Sequence, residues 1–105
     1  MVWPEMSRRF NLTPDANHDI DEAVAWYDGQ KPDLGGRFVR ALRRRFDDVL
    51  RNPEFFRPVG RRSIRKARLL HWPHSIFFRI LPDEVRIISV WHGSRDPREL
   101  NHRLR

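Results

Sequence analysis

Apolar residues recur at two different periods along this chain, and the change of period near residue 60 divides it into a helical part and a stranded part. In "ANHDIDEAVAWYDG" (residues 16–29), Ile20, Ala23, Val24 and Tyr27 return at three- and four-residue spacing, the stripe of an amphipathic helix. Thr13 ahead of Pro14 and Asp15 has the form of an N-cap followed by a first-turn proline and acid, and Gly29 ends the segment. A second helix begins at Pro32 or Asp33. Its stripe runs through Leu34, Phe38, Leu42 and Val49 with Ala41, Phe46 and Leu50 beside it, and Asn52-Pro53 stops it. So short a connection forces the two helices into an antiparallel hairpin.

Beyond this point the pattern alternates. "SIRKARLL" (63–70), "HSIFFRIL" (74–81) and "VRIISVWH" (85–92) are rich in β-branched and aromatic residues, and "PDE" (82–84) turns the last two into a hairpin. "RRFNLT" (8–13) supplies a short first strand that joins the sheet edge. The order β-α-α-β-β-β predicts an α+β fold, a helical hairpin packed on one face of a mainly antiparallel four-stranded sheet. A turn centred on Pro82 and Asp83 pairs Ile80 with Val85, Phe78 with Ile87 and Ile76 with Ser89 on the core side. It sets Arg79 opposite Arg86 on the other side, with Phe77 opposite Ile88 and Ser75 opposite Val90. Like charges directly opposed across strands are unfavourable by up to about 1 kcal/mol, so this pair points to an anion expected on an open sheet face. Strict alternation carries His92 to that same face, and the strand then ends in "HGSRDP" (92–97), bringing Arg95 to its rim.

Length and charge sharpen the picture. With 105 residues the chain makes one domain, 1–105, with a dispensable start at 1–6 and a C-terminal tail at 97–105. The absence of cysteine excludes disulfides, thiol nucleophiles and thiolate zinc sites, and suits a reducing cytoplasm. No apolar run reaches the roughly 18 residues of a membrane span, and no segment reads as a signal peptide. The net charge is +7 and uneven: residues 1–33 carry seven acids against three basic side chains, whereas residues 55–82 carry seven basic side chains and no acid. Such a field favours polyanions or an acidic protein partner.

The segments "AVAWYDGQKPDLGGRF", "NPEFFRPV", "IRKARLLHWPHSIFFRI" and "ISVWHGSRDP", in this order from about Phe10 to Pro97, resemble the RelE/ParE toxin superfamily of type II toxin–antitoxin, or plasmid-stabilisation, systems. The resemblance implies a RelE/ParE-like fold and a small basic toxin that arrests growth and is held inactive by a cognate antitoxin wrapped over its helical hairpin and sheet. Two targets occur in the superfamily. ParE-like members poison DNA gyrase, and RelE-like members are ribosome-dependent endonucleases that cut mRNA. The "HGSRDP" ending favours the gyrase reading, with the ribosome and its mRNA as the alternative target.

Each reading nominates residues. A nuclease needs a proton acceptor for the ribose 2′-hydroxyl, a cation for the phosphorane and an acid for the leaving oxygen. His92 would serve as base or acid, with Arg79, Arg86 and Arg95 on the phosphate. The sole tyrosine, Tyr27, belongs to the first helix, which weakens this case. Target binding falls to Arg61, Arg62, Arg65, Lys66 and Arg98. Antitoxin binding falls to Phe38, Leu42, Arg40 and Arg44. No metal, cofactor, membrane or small-molecule substrate is expected: His71 and His74 form H-x-x-H on extended chain with no carboxylate to complete a site. Trp26, Trp72 and Trp91 read as core or core-edge residues, Gly35-Gly36 as easing the second helix's start, and Asp96 as an ion-pair partner of Arg95 closing the turn. A repressor-type DNA-binding helix pair is not what the pattern shows.

Overall fold

The computed structural model describes residues 10–60 and 63–104; the N-terminal residues 1–6, Arg61 and Arg62 lie outside them. The elements run β1 (Phe10–Leu12), α1 (Pro14–Gln30), α2 (Leu34–Arg51), a single 3-10 turn (Pro53–Phe55), β2 (Pro58–Val59), β3 (Ile64–Arg68), β4 (His74–Ile80), β5 (Val85–His92) and α3 (Pro97–Arg103). The sheet order is β1-β5-β4-β3-β2, with β1 parallel to β5 and the other pairs antiparallel. The α+β architecture is as expected, but the sheet has five strands rather than four. The extra one is a two-residue strand, Pro58–Val59, too short to leave a period in the sequence.

Thr13 caps α1 as its sequence suggests, its hydroxyl accepting from the Ala16 N–H at 3.2 Å. A three-residue connection then returns the chain into α2, entered through Asp33 in the left-handed region at φ 65°. Gly35 makes that return possible. Its N–H donates to the Asp28 carboxylate at 2.8 Å, and a Cβ there would stand 2.5 Å from that same oxygen and 2.8 Å from the Val24 carbonyl. Both helices lie on one face of the sheet, where Ile20, Phe38, Leu42, Phe46, Val49, Ile76, Phe78, Ile87 and Val90 form a core almost free of solvent. Burial of each large side chain contributes roughly 1.5–3 kcal/mol.

The β4–β5 register holds only as far as Ile87. Ile80 pairs with Val85, Arg79 with Arg86 and Phe78 with Ile87, but Phe77 then pairs with Ser89, leaving Ile88 unopposed in a bulge. One extra residue exchanges the two faces of the strand beyond it. Val90 and His92 therefore turn toward the helices, opposite Ile76 and His74, and Trp91 turns away from them. The bulge falls where β1 ends and α1 begins: the Thr13 N–H donates to the Ile87 carbonyl at 3.1 Å and its hydroxyl to the Ile88 carbonyl at 3.3 Å. Side chains and caps thus take over from β1 along that edge of β5.

The far face of the sheet is not open along its whole length. Residues 97–103 of the expected tail form α3, capped by Asp96, whose carboxylate accepts from the Arg98 N–H at 2.9 Å. From α3 and its end, Leu100 and Leu104 pack against a second apolar cluster of Ile64, Phe77 and Trp91.

Candidate functional site

The four residues nominated for phosphoryl chemistry are distributed over two faces and an edge. Arg79 and Arg86 do lie side by side across β4 and β5 on the face away from the helical hairpin. Arg86 is partly neutralised, its Nε 3.1 Å from the Glu84 carboxylate, and this hydrogen bond, with one from Asn11, holds the Glu84 carboxyl below the usual carboxylate range. Arg79 has no ion pair among the described residues, and its Nε is buried without a hydrogen-bond partner. His92, expected beside them, is on the helix side instead, because the Ile88 bulge reverses its parity; its ring stands 5.0 Å from that of His74. Its Nδ1 accepts from the Ser94 N–H at 2.9 Å and lies 2.8 Å from the Ser94 hydroxyl, which fixes the ring. A proton acceptor and the two facing guanidinium groups are therefore separated by the sheet.

Arg95 takes a third position. Its guanidinium lies 3.9 Å from the centre of the Trp91 ring, a cation–π contact, with carboxylates of Asp19 at 3.5 Å and Glu99 at 3.3 Å. The expected Arg95–Asp96 pair is not formed, because Asp96 is occupied in capping α3 and pairing with Arg98 at 3.0 Å, contacts that lower its pKa.

The target-binding candidates divide in the same way. Lys66 is exposed on the far face, its ammonium 5.8 Å from the Phe77 ring centre. Arg65 is on the helix side opposite Phe78, and its guanidinium donates to the carbonyls of Glu54 at 3.1 Å and Phe56 at 2.7 Å. It fastens the loop after α2 and is not a free cation. Arg98 is exposed but paired with Asp96. Arg61 and Arg62 fall outside the described residues. Of the antitoxin candidates, Phe38 and Leu42 are completely buried under α2, because they are the core stripe of that helix, so a partner cannot reach them. Arg40 and Arg44 are exposed on its outer side, Arg40 only loosely held by Asp33 at 3.4 Å.

Two features escaped the sequence reading. One is Asp19, 1% exposed at its side chain, which accepts from the Ser89 hydroxyl and the Val90 N–H, each at 3.0 Å, and from Arg103 at 2.6 Å. It locks α1, β5 and α3 together. The available signal was a carboxylate placed on the buried stripe of α1, three residues after Ala16 and four before Ala23. The other is a cavity of about 400 Å³ between α1 and the ends of β4 and β5, lined in part by Glu22, Trp26, Tyr27, His74, His92 and Arg95. Trp26, expected in the core or at its edge, stands at its mouth with 61% of its surface exposed. His74 inside is buried, and burial together with the neighbouring His92 pushes its pKa down to about 4. Among the described residues no group of three or more potential metal ligands is found, and no helix is long and apolar enough to cross a membrane.

A strand and a helical hairpin followed by a mixed, mainly antiparallel sheet make the RelE/ParE-like fold. The family described as "ParE toxin of type II toxin-antitoxin system, parDE" matches residues 10–97. The chain belongs to the ParE toxin family. Among solved structures it is similar to a chain of the chromosomal ParDE toxin–antitoxin system from P. aeruginosa, with a TM-score of 0.73 and 21% identity over 80% of this chain and 94% of that one. It is also similar to a chain of the RelBE2 toxin–antitoxin complex from Mycobacterium tuberculosis, with a TM-score of 0.55 and 21% identity over 83% and 99% of the two chains. No curated protein sequence matches it.

Proposed function

We propose that this ParE-family toxin acts by occupying a surface of DNA gyrase, not by cutting RNA, and that a cognate cytoplasmic antitoxin holds it inactive. The observation that carries the reading is the bulge at Ile88: it leaves His92 on one side of the sheet and the Arg79–Arg86 pair on the other. General acid–base cleavage needs those groups converging on one phosphate, within hydrogen-bond reach of the atoms that gain and lose protons. A binding toxin has no such requirement. The exposed Arg40 and Arg44 on α2 suit acidic side chains of the antitoxin, and the acid-rich α1 suits basic ones. A mixed-charge segment that folds as it wraps the toxin satisfies both.

The test is direct. Induced without its antitoxin, the chain arrests growth; purified, it inhibits supercoiling by DNA gyrase and leaves ribosome-bound mRNA intact, and H92A and R79A retain the inhibition. Cleavage of mRNA on the ribosome, lost in H92A, together with unaffected gyrase would overturn the reading in favour of the RelE-like alternative.

A further inference from the structure

The cavity between α1 and the ends of β4 and β5 has no part in the reading above. Its walls combine three properties. Trp26 at its mouth is largely exposed, its ring perpendicular to that of Tyr27 with centres 5.2 Å apart, so aromatic surface is available to whatever enters. His74 also lines the cavity, is 6% exposed, and has an Nδ1 with no hydrogen-bond partner. Its depressed pKa makes it a neutral ring, with one nitrogen able to accept.

Charge is the third property. In a chain of net charge +7, α1 carries Asp15, Asp19, Asp21, Glu22 and Asp28 and neither lysine nor arginine. Asp19 is committed to Ser89, Val90 and Arg103. Glu22 lines the cavity and pairs with the exposed His18 one turn earlier on the same helix. The cation in the lining, Arg95, lies against Trp91 and is shared by Asp19 and Glu99, so its charge is already compensated.

An aromatic wall, a carboxylate at the rim and the neutral imidazole of His74 are the surroundings that suit a cation with apolar faces. We propose that this cavity seats an arginine side chain presented by a partner polypeptide, its guanidinium between the Trp26 ring, the Glu22 carboxylate and the imidazole of His74. A guanidinium fits better than an ammonium because it is planar, stacks on indole and donates in several fixed directions. The volume, about 400 Å³, accommodates one such side chain with its stem. That the partner is a polypeptide rests on the antitoxin reading; the preference of the cavity does not.

The experiment uses the full chain and N-acetyl-arginine amide as probe, following the Trp26 indole N–H resonance. Saturable shifts are expected, weaker with N-acetyl-lysine amide and absent with the norleucine and glutamate analogues. W26A and E22Q should each weaken probe binding by about three- to tenfold. Equal binding of the norleucine analogue, tighter binding of the glutamate analogue, or no saturable shift with arginine overturns the proposal. Because the probe requires no antitoxin, a chain that pairs with an antitoxin yet ignores the probe loses this proposal alone. One that binds the probe but pairs with no antitoxin loses only the antitoxin reading.

Discussion

Replacing His74 by phenylalanine tests how the end of β4 is packed. The imidazole is 6% exposed, with its ring centre 4.9 Å from that of Phe38, 6.0 Å from Tyr27 and 5.0 Å from His92. Burial first, and the charge of His92 second, lower its pKa from 6.5 to about 4. A histidine that binds its proton less readily when folded leaves stability untouched above its unfolded pKa. Stability falls as pH drops through the window between the two values, and below the folded pKa no more is lost. For a window from 6.5 down to about 4 the full loss is about 3 kcal/mol, of which about 2 kcal/mol is reached by about pH 5. Phenylalanine keeps the ring and abolishes the titration. It also removes the buried Nδ1 that lacks a partner, a group of a kind that costs about 1–3 kcal/mol. H74F should therefore match or exceed the parent in stability near pH 7.5, and its advantage should widen by about 2 kcal/mol toward pH 5. Urea unfolding followed by circular dichroism across that range measures the difference, and titrations common to both proteins cancel. A difference that stays constant from about pH 7.5 to about pH 5 would refute the argument.

Other substitutions probe the remaining links. D19N removes the charge facing Arg103 and Arg95 in a nearly closed site, and urea unfolding should show a loss of roughly 2–4 kcal/mol. Gly29 and Gly35 of the hairpin should respond oppositely. In G29A the new Cβ meets nothing within 4 Å and the helix gains up to about 1 kcal/mol, whereas G35A drives it against Asp28 and Val24 and should lose about 1–3 kcal/mol despite the same gain in propensity. R79L relieves the opposed guanidinium groups and the buried, unpartnered Nε, so thermal unfolding should show a neutral or stabilising change of up to about 1 kcal/mol that shrinks as salt is added.

Periodicity located both helices, the last three long strands and the first β4–β5 pairs, because each of those segments has one apolar face and one polar one. It failed after Ile87 for a physical reason. "ISVWH" is apolar toward both sides, Val90 facing the helices and Trp91 facing α3, so alternation there does not reveal a one-residue bulge. The misplacement of His92 follows from that alone. The helix in the tail does carry a local signal: Asp96 before Pro97 repeats the cap-and-proline signature of Thr13 and Pro14. Buried Phe38 and Leu42 show the opposite limit, since a residue that defines the apolar stripe of a helix is consumed by its own core. The arrangement around Asp19 joins residues up to 84 positions apart, and no local pattern announces it.

That carboxylate also bears on when the toxin becomes a stable object during synthesis. A chain threading from the ribosome makes α1 early, yet the strand that donates to Asp19 and the guanidinium that neutralises it are translated some 70 and 84 residues later. β1 likewise waits for β5, its neighbour in the sheet. Nascent intermediates therefore lack both the sheet edge and the closing charge, and the loop-closure entropy of these distant contacts is met only once β5 and Arg103 have emerged. Stable folding of the toxin is thereby tied to the emergence of Arg103.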